Sequence, residues 1–152
     1  MKGYSSITLA MRVAISLIIF VTVWITFNSY MDNVKNMEYA NKMQNVAEYT
    51  EAQVLYSLKM LQSPDYSYLR QKIYLPDYGQ YYATSIGCSG DKFLTINASM
   101  PARGINFIIK DYINCSNMNL NGTVLPGGER CIMTNRTGTV ISINLVSSCG
   151  FV

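Results

Sequence analysis

The chain opens with a long apolar run and then changes period. From Val13 to Met31 there are nineteen residues without a charge, VAISLIIFVTVWITFNSYM, and Val13–Phe27 is almost wholly apolar. About 20 apolar residues span a bilayer core as a helix, which predicts a membrane span over about residues 9–31. After Asp32 the apolar and small residues are spaced by three, four and seven: Tyr30, Val34, Met37, Ala40, Ala47, Val54, Leu58 and Leu61. That spacing is one stripe on a helix, with Lys35, Glu38, Lys42, Glu48, Glu51 and Lys59 mostly off it. Ser63-Pro64 ends the run, because Pro disfavours helix in the residue before it. One helix over residues 4–62 is predicted, with 32–62 as a stalk, and from Ser5 to Gln62 it would measure on the order of 85 Å. The stripe is read in two parts: its upper section packs on the chain's own second domain, its lower section on lipid and neighbouring subunits.

Beyond residue 63 the pattern shortens to strands: Lys72–Leu75, Tyr81–Ile86, Phe93–Ala98, Ile105–Ile109, Arg130–Thr134 and Thr139–Val146, rich in Ile, Val, Tyr, Phe and Thr. Turn signals separate them at 76–79, 89–91, 101–104, 126–128 and 136–138. Asp111–Met118 is read as a turn. Composition divides at the same place. Residues 1–62 hold one Gly, no Pro and no Cys, whereas residues 63–152 hold nine Gly, four Pro and four Cys. The fold class is therefore α+β: a transmembrane and stalk helix, then a small disulfide-stapled antiparallel β domain over 63–152.

Charge and cysteine usage orient the chain. Lys2 and Arg12 precede the span and Asp32 is the first charge after it. The positive-inside rule then puts the N-terminus in the cytoplasm and residues 32–152 outside. A cleaved secretory signal is the alternative, but the residues after the apolar run, Asn28 to Asn33, make a poor small-x-small site. Cys88, Cys115, Cys131 and Cys149 are even in number and lie in a small domain, as disulfides do outside the cytoplasm. Three pairings are open. Their separations of 27, 16 and 18 do not resemble the close pairs of a Cys₄ metal site. Four of the eight Asn beyond residue 96 stand in glycosylation sequons: Asn97, Asn114, Asn121 and Asn135. Polar turns rich in Asn, Ser and Thr produce such triplets too, but topology, cysteines and sequons agree on a glycosylated outer surface. Asn114 is the weakest acceptor, since Cys115 follows it.

Little points to catalysis. The chain has no His, which removes the commonest general base, nucleophile partner and metal ligand. No nucleotide loop, nucleophile elbow or metalloprotease motif occurs, and Asp65, Asp77, Asp91, Asp111 and Glu129 read as solvated turn residues. The expectation is a non-enzyme without cofactor or metal. A net charge of +3, evenly spread, does not suggest nucleic acid. Seven Tyr fall between Tyr56 and Tyr82. They close the junction between helix and sheet, or form a subunit or ligand contact.

The opening Met1-Lys2-Gly3-Tyr4-Ser5-Ser6-Ile7-Thr8-Leu9 resembles the precursors of archaeal type IV pilins and pilin-like proteins, the class III signal peptide family. In that family a short basic leader ends in Lys/Arg-Gly and the apolar helix follows directly. The resemblance implies cleavage by a prepilin peptidase between Gly3 and Tyr4. It implies a cell-surface filament subunit whose N-terminal helices pack through residues such as Thr8, Ala10, Ala14, Leu17, Phe20, Val21 and Trp24, with the β head outward. Its partners would be the membrane, copies of itself and other pilin-like subunits. Where the family has Glu at the fifth residue after the cut, this chain has Thr8, and Arg12 lies inside the segment. Those departures fit a minor pilin or an archaellum-associated subunit. The alternative function is a permanently anchored extracytoplasmic binding or envelope protein on a helical stalk.

Overall fold

The structure, a computed structural model, describes residues 3–63, 65–125 and 127–149, and only the backbone of residues 3–6. A single helix, α1, runs over Gly3–Gln62. It needs no break, because nothing between Tyr4 and Gln62 is Gly or Pro. It closes with Ser63 N–H donating to the Met60 carbonyl at 3.2 Å, an i→i−3 bond that tightens the last turn. The expected terminator Pro64 lies outside the described residues. The chain divides into two compact units, Met1–Glu38 and Tyr39–Val152.

In the first unit every side chain from Ile7 to Lys35 is exposed. The second unit joins the last six turns of α1 to eight strands: β1 (Tyr68–Leu75), β2 (Ala83–Ser89), β3 (Phe93–Met100), β4 (Ile105–Tyr112), β5 (Met118–Asn121), β6 (Thr123–Val124), β7 (Gly128–Thr137) and β8 (Val140–Val146). They form two four-stranded sheets, ordered β1-β7-β8-β5 and β4-β3-β2-β6.

Each sheet turns one face to α1. In the first sheet the register sets Gln71 opposite Ile132, which is opposite Leu145, and Thr134 opposite Ile143. In the second, Ile96 lies between Ile86 and Ile109, and Ala98 between Thr84 and Phe107. These residues meet a buried helix stripe of Met43, Val46, Ala47, Thr50, Val54, Ser57, Leu58 and Leu61. Each fully buried aliphatic side chain contributes about 1.5–3 kcal/mol.

The buried part of the stripe is wider than the one read in the sequence. Met43, Val46, Thr50 and Ser57 join it, while Tyr30, Val34 and Met37, in the section read as facing lipid and neighbours, are exposed. Thr50 and Ser57 are admitted because their hydroxyls are satisfied locally, Thr50 donating to the Val46 carbonyl at 2.8 Å and Ser57 to the Gln53 carbonyl at 3.0 Å.

The strands also depart from expectation. β1 starts four residues earlier than read, and β2 starts at Ala83 because Tyr82 is drawn into the core, its hydroxyl donating to the Pro76 carbonyl at 2.6 Å. Asp111 and Tyr112 belong to β4; the turn is confined to 113–117, where Ser116 N–H donates to Asn114 Oδ1 at 3.0 Å. Arg136 and Thr137 belong to β7, and the hairpin turns on Gly138, at φ 63°, and Thr139.

β5 and β6 were not foreseen, and β5 pairs parallel with β8. The domain is thus rich in antiparallel pairs without being wholly antiparallel. Gly122 makes this possible. It is the single residue between β5 in one sheet and β6 in the other, at φ 130°, and a Cβ there would meet the Leu145 backbone, with its nitrogen only 2.7 Å away. Its carbonyl accepts from Ile86 N–H at 3.2 Å, tying the two sheets at the crossing.

Candidate functional site

The first candidate site is the exposed apolar helix. α1 is long and apolar enough to cross a membrane, with a mean hydropathy of 2.2 in its most apolar window. Two of its hydroxyls return to the helix itself: Thr22 donates to the Ile18 carbonyl and Thr26 to the Thr22 carbonyl, both at 2.8 Å. A helix turns 100° per residue. Ala10, Ala14, Leu17, Val21 and Trp24 therefore gather on one face with Phe20 at its margin, and Phe20 and Trp24 stack at 6.5 Å between ring centroids. Thr8 falls on the opposite side, so the seven residues named from the sequence do not form one patch. All seven are exposed. Of the leader, Met1 and Lys2 lie outside the described residues. Gly3 and Tyr4 are helical, and the side chain of Tyr4 is not described.

In the β domain, Cys88 is bridged to Cys115 and Cys131 to Cys149. The first bridge ties β2 to the turn after β4. The second draws the segment after β8 back over β7, where Cys131 is fully buried. Two arginines hold that segment further: Arg70 donates to the Cys149 carbonyl, and Arg130 to the Ser147 carbonyl at 3.1 Å. The groove beside them, about 670 Å³, is lined by Arg70, Lys72, Glu129, Arg130 and Ser147–Cys149. Its basic groups bind main-chain carbonyls, or Glu129 in the case of Lys72 at 2.9 Å. These contacts fasten the segment after β8 to the first sheet.

Two carboxylates meet where helix and sheet touch. Glu51 of α1 faces Asp111 of β4, and its carboxyl is pushed above the usual range by burial first, then by the neighbouring Asp111 carboxylate and the charge of Glu48. Sequence reading placed Glu51 off the stripe and Asp111 in a turn. Only the long-range pairing of β4 brings them together, so no local signal announces the pair. Tyr82 is likewise pushed up, chiefly by burial.

The Tyr cluster resolves into two groups. Tyr82 is buried and Tyr78 half-buried, their rings tilted 35° to each other with centroids 5.8 Å apart. Lys42 of α1 lies over the rings of both Tyr39 and Tyr78, at 5.0 and 5.3 Å. Tyr56, Tyr66, Tyr68, Tyr74 and Tyr81 are exposed.

The four sequon asparagines lie away from α1. Asn114, Asn121 and Asn135 are exposed, and Asn97 is half-buried on β3. Among the described residues no group of three or more Cys, Asp or Glu is placed to hold a metal ion. Comparison with protein-family models, with curated proteins and with solved structures yields no match.

Proposed function

We propose that this chain is a structural subunit of a pilin-like surface filament, held in the membrane by α1 until assembly, and neither an enzyme nor a nucleic-acid binder. The observation that carries the reading is the contrast along α1. Its apolar first half is exposed on every side, while its last turns are built into a disulfide-stapled head. Such a helix needs an apolar surrounding. Lipid supplies it first; in a filament, neighbouring helices replace lipid and association rests on close packing. The face of Ala10 and Ala14, with small side chains, suits close helix approach. Lys2 and Arg12, ahead of the uncharged run, favour a cytoplasmic N-terminus and an extracellular, glycosylated head. The leader-like Lys2-Gly3 supports processing before Tyr4 by a prepilin peptidase.

A second reading is a permanently anchored binding or envelope protein. The hydroxyls of Thr22 and Thr26 favour it, because each returns to the helix backbone and so rests in lipid without a partner. Intact mass and N-terminal sequencing of the protein from its native membrane separate the two. A mature chain beginning at Tyr4 supports the filament subunit. A chain retaining Lys2 and Gly3 supports the fixed anchor.

A further inference from the structure

The outer face of the second sheet is unlike the rest of the head. β3 carries Phe93, Thr95 and Asn97 there, opposite Tyr112, Lys110 and Ile108 of β4. Phe93 and Tyr112 meet edge to face at 5.7 Å, and Phe93, Tyr112 and Ile108 are all exposed. On the other flank β2 sets only Ser89, Gly87 and Ser85 beside the same three β3 residues.

Gly87 is the telling member. Its φ is not positive, so its backbone does not require glycine, and a Cβ there would meet nothing within 4 Å. Glycine inside a strand often marks a bulge, a bend or a place where a ligand or another backbone approaches closely; here the strand is regular and the space above it is open. A flat glycine floor beside an aromatic wall suits a sugar chain, whose C–H faces lie on aromatic rings.

A source for that sugar stands on the same strand. Asn97-Ala98-Ser99 is a glycosylation sequon, and Asn97 and Ser99 both fall on this outer face. We propose that Asn97 carries an N-linked glycan that lies along β3, over Thr95 and Gly87, toward Phe93 and Tyr112. From Asn97 to Phe93 is about 13 Å along the strand, within reach of a short oligosaccharide. In the transfer, the Asn97 amide nitrogen bonds the anomeric carbon of a lipid-phosphate-activated oligosaccharide. The bond from that carbon to the phosphate oxygen breaks, the lipid phosphate leaves with the electron pair, and the nitrogen loses a proton to solvent. This rests on the extracellular placement of the head.

The test is site-by-site glycopeptide mass spectrometry on the full-length protein from its native membrane. Glycan is expected on the Asn97 peptide, and S99A, which keeps Asn97, is expected to abolish it while leaving Asn121 and Asn135 unchanged. Sugars at Asn97 are also expected to be oxidised by periodate several-fold more slowly than those at Asn121 in the folded head. G87F, which fills the floor, is expected to remove that difference. A bare Asn97 beside occupied Asn121 or Asn135, or equal periodate rates, would overturn the seat. Outside protease digests the head in intact cells if the placement is right. Four bare asparagines on a head so digested overturn this inference alone; a head that protease cannot reach overturns the placement.

Discussion

The guanidinium of Arg136, in β7, donates to the carbonyl of Leu61 at 2.7 Å. Leu61 is the penultimate residue of α1, so its carbonyl is one of the four that a helix end leaves unpaired. A cation at that end also complements the helix dipole. The contact thus joins the end of the helix to the middle strand of the first sheet and helps fix the angle at which the stripe meets its core.

Removing it has a predictable result. R136A is expected to destabilise the head by about 1.5 kcal/mol, the scale for a hydrogen bond to a charged group. R136K should recover part of this. Denaturant unfolding of the full chain in detergent, followed by tryptophan-independent far-UV signal from the sheets, measures it. An unchanged midpoint for R136A would show that the helix end is held by other contacts.

The crossing between the sheets is sharper still. Gly122 combines a φ of 130° with the Leu145 backbone directly against its Cα. G122A must distort one of the two, and a loss of about 2 kcal/mol or more is expected. By contrast G90A, at an open turn with φ 64°, has only backbone strain to meet and should cost about 1 kcal/mol. Parallel melting curves of the two variants give the comparison; equal losses would mean the crossing yields easily.

The two disulfides close loops of similar size, with separations of 27 and 18 residues. Chain-entropy reasoning gives each about 3 kcal/mol. The paired variants C88A/C115A and C131A/C149A are therefore expected to lose comparable stability. The helical signal of α1 before residue 39 should persist in both. Reduction with no effect on head unfolding would contradict the bridges.

Acid is expected to strengthen the contact of α1 with β4. Glu51 is held above its ordinary value of 4.5, so the folded state favours its protonated form. The stability this adds is complete below the unfolded value and is lost as pH rises through the raised folded value. At pH 7, E51Q should therefore be slightly more stable than the parent chain, by about 0.5 kcal/mol or less for so accessible a pair. The advantage should shrink toward pH 4. An E51Q advantage that grows in acid would reverse the sign and rule out a raised Glu51.

Much of this architecture was legible in local pattern. The uncharged run from Val13 to Met31 and the absence of Gly and Pro between Tyr4 and Gln62 announce one long helix, which the structure contains. Six of the eight strands carry enough Ile, Val and Tyr to be read singly. What escaped is what non-local contact decides. Met118–Asn121 carries no strand signal of its own, and it pairs as a strand along β8. Thr50 and Ser57 look polar, yet they are buried because each returns its hydroxyl to the helix. Of the residues expected at a helix-packing face, Thr8 is two positions from Ala10 in sequence but lies across the helix from it. The disulfide partners were undetermined until the strands carrying them were placed.

The central claim is that the exposed helix serves a filament. The most direct measurement is immunogold electron microscopy of source cells and of material sheared from them, using antibody against the β head. The account predicts gold along detached filaments, with the sheared protein beginning at Tyr4. Gold confined to the cell envelope, with the protein released only by detergent and still carrying Lys2 and Gly3, would contradict it.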